Sequence, residues 1–244
     1  MSARSDAALA RQLAKDAGEL LLSLRTEGGF EGKVLGVEGD QRANRYLMDR
    51  LRKARPDDAI LSEEEKDDPS RLKASRVWII DPLDGTREYG EGRDDWAVHV
   101  ALAVDGVACD GAVALPAIGL TLSSGEPAVV PPHHGRLRML VSRTRPPAEA
   151  LAVAEKLDAE LVPMGSAGAK AMAVVRGVAD IYLHAGGQYE WDNAAPVAVA
   201  KAAGLHASRM DGSLMAYNNA NPYLPDLLIC RPELADRIMD ALAD

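Results

Sequence analysis

The chain is predicted to fold as an α+β lobe with an antiparallel sheet followed by an α/β layer, and three features of its 244 residues predict this. Two amphipathic helices open it, a run of strands with tight turns follows, and a Pro/Gly-rich stretch then gives way to alternating strand and helix. Leu9, Leu13, Leu20 and Leu24 recur at helical spacing through residues 5–25, with Arg11, Lys15, Asp16 and Glu19 between them, until Gly28 and Gly29 end the run. A second helix, about 41–55, turns Tyr46, Leu47 and Leu51 inward and stops before Pro56. "AILSEEE" reads as a short strand that empties into three glutamates, and "RVWIID" as one that ends on an aspartate. From "WAVHVALAVDGVACDGAVALP" to "AIGLTLSSG" the pattern is strand, turn, strand, turn, strand, with Asp105-Gly106 as the first hairpin signal.

Residues 126–136, "EPAVVPPHHGR", mark the boundary between two lobes, expected at 1–125 and 137–244. His133 and His134 within it read as loop residues, because the hard cations that suit an acidic site avoid imidazole. Beyond it, "LRMLVS" is a strand, 147–158 a helix, "ELVPMG" a strand, 166–176 a helix closed by Gly177, and "ADIYLH" a strand. A helix at about 193–203, closed by Gly204, leads to strands near 205–209 and 226–231 and a last helix.

A net charge of −9 argues against a nucleic-acid polymer as partner, which would require a basic stripe. It permits an anionic small molecule wherever cations offset the local field. No stretch approaches the roughly 20 apolar residues of a membrane span, and the N-terminal residues lack the apolar core of a signal peptide, so a cytoplasmic protein is expected. Cys109 and Cys230 lie in separate apolar runs and are expected to be buried, reduced thiols.

Acidic residues gather at four places: Asp40, Glu63 with Glu64, the Asp81-Pro82-Leu83-Asp84-Gly85-Thr86 turn, and Trp191-Asp192. Each falls at a predicted strand end or helix start, where polar groups emerge from a packed scaffold. Taken alone, "EEEKDD" is an ordinary solvated loop, Asp192 an ordinary N-cap and Asp40 uninformative. The turn is different. Pro82 fixes φ, Gly85 can adopt a conformation closed to other residues, and together they can aim Asp81, Asp84 and the Leu83 carbonyl at one point. Thr86 adds a hydroxyl, and the Gly85 and Thr86 amides can hold an anion. Clustered carboxylates repel one another, a cost that hard divalent cations such as Mg²⁺ remove.

Asp40, "LSEEE", "DPLDGT" and "WDNAAPVAVAKAAG", in this order and spacing, resemble the inositol monophosphatase superfamily of Mg²⁺-dependent, lithium-sensitive phosphatases over essentially the whole chain. Within it, "LSEEE", "MGSAGAKAMAVVRGVADIYLH" and "GGQYEWDNAAP" look most similar to bacterial CysQ-type 3′-phosphoadenosine-5′-phosphate phosphatases. The resemblance implies a layered αβαβα sandwich of the inositol monophosphatase and fructose-1,6-bisphosphatase type. It also implies two to three Mg²⁺ ions per site, a phosphate-ester substrate and, as in many relatives, a homodimer. On its terms Glu63, Asp81 and the Leu83 carbonyl hold one ion. Asp81 bridges to a second, completed by Asp84 and Asp192, and a third ion lies near Glu63. Thr86, backed by Asp40, positions and deprotonates the attacking water, and Glu64 tunes the water network. Gly85, Thr86, Ser142, Arg143, Ser166 and Lys170 are the implied substrate contacts, although Arg143 and Lys170 could equally be solvent-facing side chains. One departure from the family is "LGVEGD", where many relatives carry a Val-Thr pair before the aspartate.

Rival readings are weaker. A haloacid-dehalogenase-like phosphatase has carboxylates two residues apart after an N-terminal strand, whereas here they are three apart with a proline between. A non-catalytic metal- or anion-binding module would have lost Thr86 or Asp84. Inositol monophosphate, fructose 1,6-bisphosphate and a histidinol-phosphate-like ester all fit the same acidic core, so the core does not choose among substrates.

Overall fold

In the computed structural model, Ser5 caps the first helix by accepting from the Ala8 amide at 3.3 Å. Helix α1 (Asp6–Glu27) buries Leu9, Leu13, Leu21 and Leu24 along one stripe, each worth roughly 1.5–3 kcal/mol of burial. The structure describes residues 5–243, so the outermost residues of the two expected lobes, 1–4 and 244, lie outside the described part.

Helix α2 (Gly32–Ala54) begins well before the predicted residue 41. Gly36 and Gly39 disfavour helix by propensity, but packing overrides it. A Cβ on Gly36 would stand 2.9 Å from the Thr86 Cγ2 and from the Thr86 carbonyl oxygen, and one on Gly39 2.9 Å from the Tyr89 ring. The glycines are what let α2 lie against the short helix α3 (Thr86–Gly90). Asp40 is therefore buried within α2 instead of standing at its start.

The first sheet runs β1 (Ala59–Ser62), β2 (Arg76–Asp84), β3 (Ala97–Val104), β4 (Val107–Leu115) and β5 (Leu120–Ser123) in that order. Only β1 and β2 are parallel; the remaining neighbours pair antiparallel, as the hairpin signals require. The second sheet has the order β7-β6-β8-β10-β9, from β6 (Arg138–Ser142), β7 (Glu160–Met164), β8 (Ile181–Tyr189), β9 (His206–Ser208) and β10 (Tyr223–Cys230). β6 runs parallel to β7 and β8, and β10 antiparallel to β8 and β9.

Helices interleave with these sheets. α1 and α2 pack through Leu21, Leu47 and Leu51 on Trp78, Ile80 and Val100 of the first sheet. Its other face, with Val77, Ile79 and Val113, meets α5 (Ala167–Val175) and α6 (Glu190–Ala202), which also cover Tyr182 and Leu227 of the second sheet. The far face of that sheet is closed by α4 (Ala148–Leu157) and α7 (Ala235–Ala243) through Val153 and Ile238. The result is the five-layered αβαβα sandwich that the resemblance implies. With so few aromatic residues the central layer is built from alanine: Ala194, Ala195 and Ala198 are buried on α6, and a Cβ on Gly111 of β4 would meet Ala198 at 2.9 Å.

One expectation about the cysteines needs correction. Cys230 is buried but Cys109 is exposed, because β4 alternates near its hairpin and sends Val107 and Cys109 outward while Ala108 turns in. The 126–136 stretch is also tied down: buried Asp180 stands 2.8 Å from His133 Nδ1 and accepts from Arg231 Nε at 2.9 Å, and Arg231 also donates to the Pro131 carbonyl at 2.7 Å. Among the described residues no helix is long and apolar enough to cross a membrane.

Gly36→Ala tests the α2–α3 contact. Helix propensity alone would gain about 1 kcal/mol, but overpacking against a backbone carbonyl that cannot yield costs about 1–3 kcal/mol. A lower thermal midpoint is expected, by about 2–4 °C per net kcal/mol; an unchanged or raised midpoint would show that the two helices do not depend on this close approach.

Candidate active site

Strand β2 continues past its predicted end at Asp81 to Asp84, and the way it does so aligns the two aspartates. In a regular strand residues three apart face opposite sides. Here Asp81 pairs with His99 and Asp84 with Ala97, so three steps on β2 match two on β3. The extra residue is a bulge, the one place inside a sheet where Pro82, lacking an N–H, costs no ladder bond. It restores phase and turns both carboxylates toward α5 and α6. Gly85 then adopts φ +90°, at a point where a Cβ would press on Ser166 and Trp96 at 3.2 and 3.3 Å.

Asp192 meets them from the other lobe. Helix α6 starts at Glu190, earlier than predicted, so Asp192 lies in its first turn and accepts from the Tyr189 amide at 2.6 Å. Pro196, four residues on, cannot donate to the Asp192 carbonyl as an ordinary helix residue would. One carboxylate oxygen each of Asp81, Asp84 and Asp192 lie within 4.8 Å of one another.

The three are held differently. Asp84 receives the Ser166 hydroxyl at 2.5 Å and the Ala167 and Gly168 amides at 3.1 and 2.6 Å, all from the start of α5. His99 Nε2 stands 3.1 Å from it as an ion contact, while His99 Nδ1 lies 3.0 Å from the Trp191 carbonyl. Burial works to raise the Asp84 pKa, but His99, Ser166 and the Gly168 amide outweigh it and hold the group at about 2. Burial likewise opposes charge on His99, yet Asp84 prevails and its pKa is raised. Ser166 sits at φ +52°, strained for a non-glycine residue, and is fixed there by donating to Asp84 while accepting from the Ala169 amide at 2.9 Å. Asp81, by contrast, has one amide, that of Leu83 at 3.0 Å, and its pKa lies well above the usual carboxylate range through burial and then the charges of Glu63 and Asp84. Asp192 is raised to about 7, by burial first and Asp84 second.

Thr86 Oγ1 lies 3.3 Å from Asp40 Oδ2 and donates to the Leu83 carbonyl at 3.0 Å. Asp40 Oδ1 is buried with no partner. Burial, followed by the charges of Glu64 and Glu63, pushes Asp40 up to about 8. Glu63, its amide bonded to the Ile80 carbonyl at 3.2 Å, stands at about 7 through desolvation and then Asp192, Asp84 and Glu64. The residue is open to solvent at the rim, which relieves part of that crowding, so the buried Asp40 and Asp81 bear more of it. Glu63 lies outside the tight aspartate trio, and Glu64 is exposed beside it.

Between the lobes, a cleft of about 320 Å³ brings together Asp84, Gly85, Ser142, Arg143, Ser166, Lys170 and Asp192. A roomier cavity of about 470 Å³ lies on the α2–α3 side of Thr86, lined by Gly32, Lys33, Val37, Thr86, Arg87, Gly90 and Glu91, away from the aspartates. Lys170 faces no solvent: its ammonium donates to the carbonyls of Ser166 at 2.6 Å and Gly165 at 3.2 Å and lies 5.3 Å from the Tyr182 ring centroid, and burial lowers its pKa. Arg143 spans the lobes to Glu88 at 3.0 Å and Glu91 at 2.9 Å. The Ser142 hydroxyl accepts from the Arg145 amide at 3.3 Å. Arg145, Tyr182, His184 and Gln188 also line the cleft and were not singled out from the sequence. Nor was His99, although a histidine inside the apolar run "WAVHVALAV" was its visible signal.

The match to known proteins is extensive. The profile described as "Inositol monophosphatase family" covers residues 3–243. The 3′-phosphoadenosine 5′-phosphate phosphatase of Mycobacterium tuberculosis is 56% identical over 243 residues, 94% of this chain and 90% of that protein. The 3′(2′),5′-bisphosphate nucleotidase CysQ of Escherichia coli K12 is 30% identical over 236 residues, 87% of this chain and 94% of that protein. Among solved structures, CysQ from Bacteroides thetaiotaomicron superposes with a TM-score of 0.79 at 23% identity, covering 93% of this chain and 97% of that one. The chain belongs to the inositol monophosphatase family.

The raised carboxyls set the pH response of the cation-free protein. A group whose folded pKa exceeds its unfolded value stabilises below the unfolded pKa and loses that contribution as pH rises through the folded one. For Asp40, at about 8, and Asp192, at about 7, the loss runs from about pH 4 to 8, and raised His99 acts in the same sense. His184, at about 4 through burial, opposes only below about pH 6.5, and Asp84, at about 2, lies outside the window. With chelator present, the thermal midpoint should fall as pH goes from 6.5 to 8; a flat or rising profile contradicts this account of the crowding.

Proposed function

We propose that this family member is a Mg²⁺-dependent phosphomonoesterase that hydrolyses 3′-phosphoadenosine 5′-phosphate to AMP and phosphate. The observation that carries the reading is the trio Asp81, Asp84 and Asp192, whose oxygens approach within 4.8 Å at the lobe interface. The substrate comes from the relatives of that name, 56% identical to this chain.

The donor set fits the cation. It is all carboxylate and carbonyl oxygen, which suits Mg²⁺ and not a soft metal. Its buried member Asp81 is short of donors, receiving the Leu83 amide while its pKa lies well above the usual carboxylate range through burial and the charges of Glu63 and Asp84. Asp81, Asp84 and Asp192, with Glu63 and the Leu83 carbonyl, are the groups that hold Mg²⁺. When bound, the ion supplies Lewis acidity, acidifying water and offsetting negative charge on the phosphoryl group.

The chain's own groups do the rest. Thr86 Oγ1, by donating to Asp40 Oδ2 or the Leu83 oxygen, turns a lone pair outward to orient the attacking water. Asp40, 3.3 Å from Thr86 Oγ1 and with its Oδ1 unpartnered, is placed to take the proton passed through the Thr86 hydroxyl. Glu64 stands beside this pair and orders water at the rim. Gly85, Ser142, Arg143, Ser166 and Lys170 shape the cleft that receives the ester. Lys170 acts chiefly by holding that shape, since backbone carbonyls already satisfy its ammonium, whereas Arg143, tied to Glu88 and Glu91 through one terminal nitrogen, keeps a buried Nε without a partner.

Phosphate release with Mg²⁺ from 3′-phosphoadenosine 5′-phosphate, inositol 1-phosphate and fructose 1,6-bisphosphate tests the assignment. A kcat/KM preference of about 100-fold for the nucleotide, about 2.7 kcal/mol, is expected; comparable rates on all three would replace it with a broad sugar-phosphate phosphatase. Asp84→Asn should lower turnover by ~10²-fold or more while the chain remains folded by circular dichroism. More than about a tenth of wild-type activity in that variant would count against Asp84 as a cation ligand.

A further inference from the structure

The acidic segment 63–68 is anchored by residues outside the catalytic cleft. Its start is fixed by the Glu63 amide on Ile80, and its middle by Glu65, which meets Arg52 at 3.1 Å and Asn44 at 3.3 Å. Its end is held by Arg71, which donates to both oxygens of Asp67 at 2.6 and 2.9 Å. Arg71 is 1% exposed, deeper than its salt bridge to a half-exposed aspartate requires. Its remaining donors cross to the second lobe, reaching Asn218 Oδ1 at 2.8 Å and the Asn219 carbonyl at 3.0 Å, while Asn218 Nδ2 returns a bond to the Arg71 carbonyl at 2.9 Å.

Asn218 and Asn219 are in turn gripped by Glu190, the first residue of α6 and fully buried. Its carboxylate accepts from the Asn218 amide at 2.7 Å, the Asn219 amide at 2.7 Å and Asn219 Nδ2 at 2.8 Å. Asn218 adopts φ +63°, a conformation held by these bonds at both ends. The chain of contacts runs from Asp67 through Arg71 and the two asparagines to Glu190, and it joins the two segments that present Glu63 and Asp192.

We infer that this buried hub, Arg71–Asn218–Asn219–Glu190, is the positioning device that sets the gap between Glu63 and Asp192, so that residues touching no cation fix the cation affinity. The inference rests on the proposed cation site. Arg71 suits the task because its planar fork binds the Asp67 carboxylate bidentately and still has a donor for the other lobe, which a lysine cannot match. Groups that orient ligands in this way are commonly worth 10–100-fold in metal affinity.

The test measures Mn²⁺ binding to the full chain by the electron paramagnetic resonance of the free ion, Mn²⁺ sharing the oxygen preference of Mg²⁺. Arg71→Met should weaken binding about 10-fold or more. Asn218→Gly, which accepts the positive φ and removes only the two bonds to Arg71, should weaken it severalfold in a chain that folds normally, and it decides the matter if Arg71→Met does not fold. Ile238→Ala, in the core between α4, α7 and the second sheet, supplies a loss of stability remote from the hub and should leave Mn²⁺ affinity unchanged. Folded hub variants that bind within about twofold of wild type would overturn the inference, as would an equal loss of affinity in Ile238→Ala. A wild-type chain that binds no Mn²⁺ would overturn the functional reading itself, and the inference with it, an outcome separate from normal wild-type binding with unaffected variants.

Discussion

Repulsion among carboxylates packed at one interface is the constraint around which this structure is arranged. Asp81, Asp84 and Asp192 share a space that water alone cannot keep charged, with Asp40 and Glu63 close by. The fold meets the problem unevenly. Asp84 is given a hydroxyl, two amides and a buried histidine and is held at about 2, whereas Asp40 and Asp192 are left at about 8 and 7. One carboxylate is thus neutralised by protein, and the others are left with a deficit of positive charge that an external cation fits.

The same asymmetry explains how the lobes are joined. Asp84 belongs to β2, but its donors come from α5, so the site's most acidic group is also where the second lobe docks. His99 extends the joint to the Trp191 carbonyl next to Asp192. Gly168 must be glycine there, since a Cβ would lie 2.0 Å from His99 Nε2. The alanine-rich α6 follows from this arrangement: beyond its first turn, a helix pressed between two sheets buries mainly alanine and valine, Ala194, Ala195, Val197, Ala198, Val199 and Ala200.

Much of this was legible in the chain before any coordinates. Leucine spacing gave α1, the Asp-Gly turn gave the β3–β4 hairpin, and the Pro/Gly-rich stretch gave the change from antiparallel to alternating architecture. The carboxylates of "DPLDGT" announced an acidic site because a plain turn does not need both, whereas Asp192 of "WDNAA" read alone as an N-cap and joined the site through the family resemblance. What could not be read depended on contacts distant in sequence. Gly36 and Gly39 look like helix breakers until Thr86 and Tyr89 are found against them, so the start of α2 and the burial of Asp40 were missed. A bulge is a relation between two strands, and one strand's pattern does not show it. Lys170 has the spacing of a surface lysine, and only the closed α5 turn shows that three backbone carbonyls surround its ammonium. Cys109 was misjudged for a simpler reason, since an apolar run does not say which face of its strand is covered.

The acidic positions are spread from residue 40 to residue 192, and this has a consequence for the chain as it is being made. Synthesis proceeds at about 5–20 residues per second. For several seconds the first sheet therefore exists without α5 or α6, its Val77, Ile79 and Val113 face bare and its two aspartates without their partners. The ribosome-bound half is at once sticky and electrostatically unresolved, and late translation cures both defects together. Cover for the apolar face and the donors that hold Asp84 thus arrive together, with α5, and Asp192 follows only with α6.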